Sequence, residues 1–333
     1  ILVEDGHARE DDVAQAVACQ FSLPLLSIEE EYINQEIAWK VGEEVCRRKP
    51  ENGRCRMISG KSILLPMFGY PTEPFKAPYI YNPWFDSKGI DAVVVPMGVK
   101  PEDYAESLKA VFRMSNVRGA LVTMPHKVTT VGLMDELSKT AQVAGSCNAI
   151  LKRDDGKLVG DMFDGEGFVR GLKRNGFQPE GAKCLLIGAG GVGSAIAASL
   201  AEGGIAAIDV IKTRSESANV LVDRLQHFFP QVKARLVNSN DVAGFDLIVN
   251  GTPLGLPGDP LPFDLTNLAP TTFVGEVVMK QEMTPLLEIA KARGCRYVLG
   301  SEMLFEMIPA YLEFFGFGTT TPDELRAVAQ MAY

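Results

Sequence analysis

Residues 185–193 read Leu185-Leu-Ile-Gly-Ala-Gly-Gly-Val-Gly193, an apolar run that passes directly into a G-x-G-x-x-G turn and an alanine-rich stretch. Such a turn uses Gly188 for its tight bend and Gly190 to let a pyrophosphate approach the backbone. Gly193 lets the helix expected over 194–202 pack closely on the strand and aim its N-terminal amides at phosphate. Glycine-rich turns are common, so context carries the reading: a strand before, a helix after, and a second apolar run at 205–211 one unit later. A dinucleotide site is read here in preference to a purely structural turn, with Gly188, Gly190, Gly191, Val192 and Gly193 as its cofactor-binding residues.

Working outward, strands are expected at 184–187, 205–211, 247–250, 273–278 and 296–299, with helices at 217–229 and 285–293 between them. Strand–helix alternation of this kind predicts an α/β fold with a doubly wound parallel sheet. Before it, residues 63–68, 92–96 and 120–124 read as strands and 101–114 and 128–137 as helices. The stretches 149–152 and 158–160 flank the hairpin turn Asp154-Asp-Gly-Lys157. Helices are also expected at 166–175, 302–315 and 322–329.

The 333 residues, 46% of them hydrophobic, can bury the cores of two domains or more. No apolar run approaches the roughly 20 residues that cross a bilayer, and the first residues lack the features of a secretory leader. Six cysteines are scattered without a C-x-x-C pair, which points to reduced thiols and a cytoplasmic setting. A net charge of −9 argues against nucleic acid as the main partner. No histidine–carboxylate cluster has metal-ligand spacing, so no metal is expected.

Several motifs then occur in one order. Val122-Thr-Met-Pro-His-Lys127 resembles the V-T-x-P-h-K signature of shikimate and quinate dehydrogenases. Gly145-Ser-Cys-Asn-Ala149 resembles their A-x-N-T element, and Gly160-Asp-Met-Phe-Asp-Gly165 their G-x-N-T-D-G. Asn250-Gly-Thr-Pro-Leu-Gly255 resembles N-x-T-P-x-G, and Thr284-Pro-Leu-Leu287 and Gly300-Ser-Glu-Met-Leu304 match two later elements. The resemblance spans about residues 63–318. It implies an N-terminal α/β substrate domain (57–165), a Rossmann-type domain binding NAD(P) (166–300), C-terminal helices returning to the substrate side (301–333), and an active site between the domains. It further implies cofactor contacts from Asn250, Thr252, Pro253 and Gly300, and substrate contacts from Thr123 and Asn148. Residues 1–56 read as an appended segment and linker; Leu2-Val-Glu-Asp-Gly6, residues 14–20 and Leu23-Pro-Leu-Leu26 weakly resemble the front helical domain of type II secretion ATPases, and no ligand is assigned to them.

The departures matter equally. The family's G-x-P-x-x-H-S-x-S-P element reads Gly69-Tyr-Pro-Thr-Glu-Pro-Phe-Lys-Ala-Pro78 here, so the two serines that hold a carboxylate become Phe75 and Ala77. Met162, Phe163 and Ala149 replace polar residues, and Met307 aligns with a late substrate-binding glutamine. Phe75, Met162, Phe163 and Met307 are expected to make the pocket more apolar. Lys76 either supplies a replacement charge for the carboxylate or is a solvated loop lysine; both readings stay open. Tyr79 and Tyr81 are close enough in sequence to offer hydroxyls.

Hydride removal from a secondary alcohol requires that its hydroxyl proton leave, and a positioned base contributes roughly 10²–10⁴ in rate. Lys127 and Asp164 are the expected catalytic pair, read as coupled. His126 reads as a packed imidazole rather than a proton shuttle. At the end of the second Rossmann strand the chain reads Ile211-Lys-Thr-Arg-Ser215. Lys212, Thr213 and Arg214 keep positive charge there, and the nearest acid, Asp209, lies inside the strand. NADP is therefore favoured over NAD. The expected activity is an NADP-dependent alcohol dehydrogenase acting on a small-molecule cyclic hydroxy acid, as monomer or homodimer. The alternatives are a non-catalytic dinucleotide-binding sensor on the same scaffold and another two-domain Rossmann enzyme such as a methylenetetrahydrofolate dehydrogenase.

Overall fold

The computed structural model describes residues 58–211 and 216–330. The readings made for residues 1–56 lie outside them. The first sheet contains β1 (Ile63–Gly69), β2 (Ala92–Gly98), β3 (Gly119–Val122), β4 (Glu136–Leu137), β5 (Ala149–Lys152) and β6 (Leu158–Asp161) in the order β2-β1-β3-β5-β6-β4. Its pairs are parallel except β3–β5 and β5–β6. Helices α1 (Pro78–Lys88), α2 (Tyr104–Val111), α3 (Lys127–Val131) and α4 (Lys139–Ala144) connect these strands, and α5 (Asp164–Arg174) follows them.

The second sheet is wholly parallel. Its strands are β7 (Lys183–Ile187), β8 (Ala207–Ile211), β9 (Lys233–Val237), β10 (Leu247–Asn250), β11 (Phe273–Glu276) and β12 (Tyr297–Val298), in the order β12-β11-β10-β7-β8-β9. The order reverses at β7, which puts the switch point between β7 and β10, where open α/β sheets bind their ligands. Helices α6 (Gly191–Glu202), α7 (Ser217–Phe228) and α8 (Pro285–Ala292) lie among these strands; α9 (Gly300–Phe314) and α10 (Pro322–Val328) close the chain. Strand residues alternate between cores as a two-residue period requires: Cys184 and Leu186 enter one cluster, Leu185 the other.

Several elements depart from the sequence expectations, three of them for identifiable reasons. α1 escapes the periodicity because it contains Pro83. That residue cannot donate to the Tyr79 carbonyl, and the Gln330 amide occupies the carbonyl instead at 2.9 Å. The helix expected over 128–137 stops at Val131, at Gly132, and the chain continues into β4. The helix expected from residue 166 begins at Asp164, which places that carboxylate in its first turn.

Two long helices join the halves. Met303 of α9 belongs to the core of the second sheet, whereas Phe305, Ile308, Tyr311, Leu312 and Phe315 pack with Leu65, Tyr81 and Leu121 against the first. α5 crosses both α6 and α9 at glycines. A side chain at Gly165 would run into the Ala195 carbonyl of α6, and one at Gly167 would meet Met307 Cβ at 2.6 Å. Alanine favours a helix over glycine by about 1 kcal/mol, but forced backbone separation outweighs this. Gly165→Ala is accordingly expected to lower stability by about 2 kcal/mol or more, read from urea unfolding; an unchanged midpoint would contradict this packing.

Candidate active site

The turn after β3 delivers Lys127 as the first residue of α3, and the turn after β6 delivers Asp164 as the first residue of α5. The Lys127 ammonium donates to Asp164 Oδ2 at 2.6 Å, with the lysine side chain 20% exposed and the carboxylate 5%. Asn148, buried at the start of β5, donates from Nδ2 to Asp164 Oδ1 at 2.9 Å and accepts the Phe163 amide at 2.9 Å. The carboxylate is thus fixed from two sides. The Cys147 amide donates to the Lys127 carbonyl at 2.8 Å, so the 145–149 segment holds both partners. Tyr311 of α9 donates to the Asn148 carbonyl at 3.2 Å. Burial, and then the Asp164 charge, pushes that hydroxyl well above the ordinary tyrosine range, keeping it a donor.

Other candidates separate clearly. His126 is buried, stacks on Tyr104 at 4.0 Å and 5°, and bonds the Val99 carbonyl through Nε2 at 2.8 Å. Burial lowers its pKa, so it packs as a neutral imidazole. Thr123 turns its methyl toward Gly69, where the Phe75 ring tip also converges. One expectation about the pocket wall is corrected. Met162 is buried with Ala141, Ala144 and Ala195 under α4 and α6. Met307 is half-buried, with its Cβ toward Gly167 of α5. Phe163 stacks edge-on against Tyr311 at 4.9 Å and Phe314 at 5.3 Å. Tyr81 is buried inside the first core, whereas Tyr79 is exposed.

A cavity of about 950 Å³ is lined by Phe75, Lys76 and Tyr79 on one side and Met279, Lys280 and Leu304 on the other. Neither Lys127 nor Asp164 lines it. Phe75 lines it and also converges with Thr123 on Gly69, in the turn before Lys127.

The glycine loop fits a dinucleotide. Gly188 has φ +95 and approaches the Gly251 carbonyl carbon so closely that a Cβ would lie 2.5 Å away. At Gly193 a Cβ would meet the Gly188 carbonyl oxygen, so only glycine lets α6 start there. Gly190 faces open space, with nothing within 4 Å of its Cβ direction. Val192 turns inward against the core. The buried hydroxyl of Ser146, which faces Gly191, has no hydrogen-bond partner among the described residues. Lys212, Thr213 and Arg214 lie outside the described residues. Asp209 is engaged: Arg235 grips its carboxylate through two bonds of 2.8 and 2.9 Å.

The sequence reading missed the buried Glu276 at the end of β11. Its carboxylate accepts from Asn250 Nδ2 (2.9 Å), the Val277 (2.8 Å) and Val278 (3.1 Å) amides, and the Thr284 hydroxyl (2.9 Å). Burial pushes its pKa up and the four donors oppose that push. Asn250 in turn holds Thr252 through Oδ1, and Gly300 leaves room for the Val278 carbonyl. Pro253 is exposed at the rim of this turn. A lone acidic residue ending an apolar strand gave no periodic signal.

A model of the shikimate dehydrogenase substrate binding domain matches residues 67–150. A shikimate dehydrogenase (NADP(+)) of Rhodospirillum rubrum is 34% identical over 279 residues, covering 81% of this chain and 98% of its own. The chain belongs to the shikimate dehydrogenase family. Among solved structures of that family, the shikimate 5-dehydrogenase of Listeria monocytogenes in complex with shikimate and NAD superposes with a TM-score of 0.77 at 27% identity, covering 83% of this chain and 99% of that one. A ligand-free 5-ketofructose reductase of a Gluconobacter strain gives a TM-score of 0.74 at 26% identity, covering 82% and 99%. The overall fold is therefore shared with these solved structures.

Removing the buried carboxylate of Glu276 would strand four donors, each worth about 1–3 kcal/mol when left unpaired. Glu276→Ala is expected to cost about 3 kcal/mol or more in urea unfolding. Glu276→Gln keeps one acceptor oxygen and should cost less than half as much.

Proposed function

We propose that the chain is an NADP-dependent oxidoreductase that interconverts a secondary alcohol and its ketone on a shikimate-like cyclic hydroxy acid. The observation that carries this reading is the Lys127–Asp164 pair, joined at 2.6 Å and held by Asn148. When bound, the dinucleotide supplies the hydride acceptor, or the donor in reverse. Lys127 and Asp164 bind the hydroxyl whose proton must leave, and the proton passes to the pair. Asn148 fixes the carboxylate throughout. Residues 57–165 serve as the substrate domain and 166–300 as the cofactor domain, with α9 returning to the former.

NADP is supported on two counts. The name of the R. rubrum relative carries NADP(+), and Arg235 occupies the acid nearest the ribose-binding position in β8. A ribose diol needs a free acidic acceptor there, whereas Lys212 and Arg214 suit a 2′-phosphate. For the substrate, Lys76 is exposed on the wall of the large cavity and serves as the carboxylate's partner. Phe75, buried against Gly69 and Thr123, makes that wall apolar, which favours rings with fewer hydroxyls or greater bulk than shikimate.

The test is NADP reduction with a panel of cyclic hydroxy acids that includes shikimate and quinate. Lys127→Ala is expected to lower kcat by about 10²–10⁴ while cofactor affinity stays within twofold. Nucleotide binding without turnover of any alcohol in the panel would overturn the enzymatic reading.

A further inference from the structure

Ser146 follows Gly145, the residue that ends α4 at φ +61 beneath the Arg224 guanidinium. Its side chain is fully buried, and its hydroxyl finds no partner among the described residues. A buried hydroxyl without a partner is unfavourable, and alanine would fill the same space without that penalty. What the hydroxyl faces is specific: Oγ lies 3.3 Å from the Cβ direction of Gly191, the first residue of α6. Gly190, beside it, opens onto free space. α6 has twelve residues, and its N-cap is a glycine, which offers no side chain to its first amides. A helix N-terminus with open amides attracts anions, and here a hydroxyl from the other sheet stands next to it.

We infer that Ser146 is the substrate-side contact for the cofactor's pyrophosphate. This rests on the NADP reading above. The hydroxyl turns about its Cα–Cβ bond between staggered positions and donates to a phosphate oxygen held by the glycine loop. The same segment bonds Lys127 through the Cys147 amide, and Asp164 through the Asn148 side chain. Ser146 therefore ties cofactor occupancy to the turn that holds the catalytic pair.

The experiment compares wild type with Ser146→Ala by calorimetric titration with NADP and with adenosine 2′-monophosphate, which carries the 2′-phosphate but no pyrophosphate. The Kd for NADP is expected to rise about tenfold, as for one lost hydrogen bond to a charged acceptor. The Kd for the monophosphate should not change, and the Tm of the free protein should stay the same or rise. Equal weakening of both ligands, a lower Tm of the free variant, or an unchanged NADP affinity would each overturn the assignment. If the wild type binds neither nucleotide, the cofactor reading itself fails and takes this one with it; an unchanged variant beside a binding wild type refutes Ser146 alone.

Discussion

The arrangement depends on one short ion pair. Lys127 and Asp164 come from turns separated by 37 residues, and each begins a helix. Neither helix brings the other partner close; the pairing across the β3–β5–β6 part of the first sheet does. Val122 donates its amide to the Asn148 carbonyl at 2.8 Å, and Asn148 donates its own to the Asp161 carbonyl at 2.9 Å. These backbone bonds fix the ends of β3 and β6 on either side of Asn148. Removing either member of such a pair leaves a charge with too little solvent to stabilise it, so the pair constrains the sequence on both turns.

Close packing supplies the second constraint. Asp164 can stand at the first position of α5 only because Gly165, next to it, lets α6 approach. The same α6 begins in the glycine loop, where Gly193 clears the Gly188 carbonyl. Small residues at successive points thus hold the acid, the helix behind it and the glycine-rich turn at fixed separation. The third contributor is α9. Its early residue Met303 lies in one core and its later residues in the other, so a change in how the two sheets sit would have to repack this helix.

Much of this was readable from sequence because it is either periodic or punctuated. Five strands of the second sheet fall in apolar runs bounded by turn residues, and the glycine loop has a fixed spacing; β9, with Lys233 and Arg235 among its five residues, is no apolar run and went unread. Lys127, Asn148 and Asp164 sit in motifs whose order survives even where neighbouring residues have changed. What escaped is non-local. That Tyr311 of α9 reaches the Asn148 carbonyl depends on which face of the helix meets the first sheet. Met162 looked like a pocket residue because it precedes Asp164 by two positions, yet the bend into α5 turns it beneath α4. Glu276 gave no warning, since its four donors come from a strand end, a side chain on β10 and the cap of α8.

The engagement of Asp209 shows how a sequence-level argument about cofactor choice acquires physical content. In sequence, an acid three positions before Lys212 is an ambiguous rival for the ribose hydroxyls. In the fold, Asp209 faces β9, where Arg235 meets both carboxylate oxygens in a fork geometry. The arginine is 72% exposed and the carboxylate buried, so solvent screens the outer charge while the inner one remains satisfied. Freeing Asp209 for a ribose would leave a guanidinium without its partner and require the carboxylate to turn away from its strand neighbour. The acid thus serves the sheet.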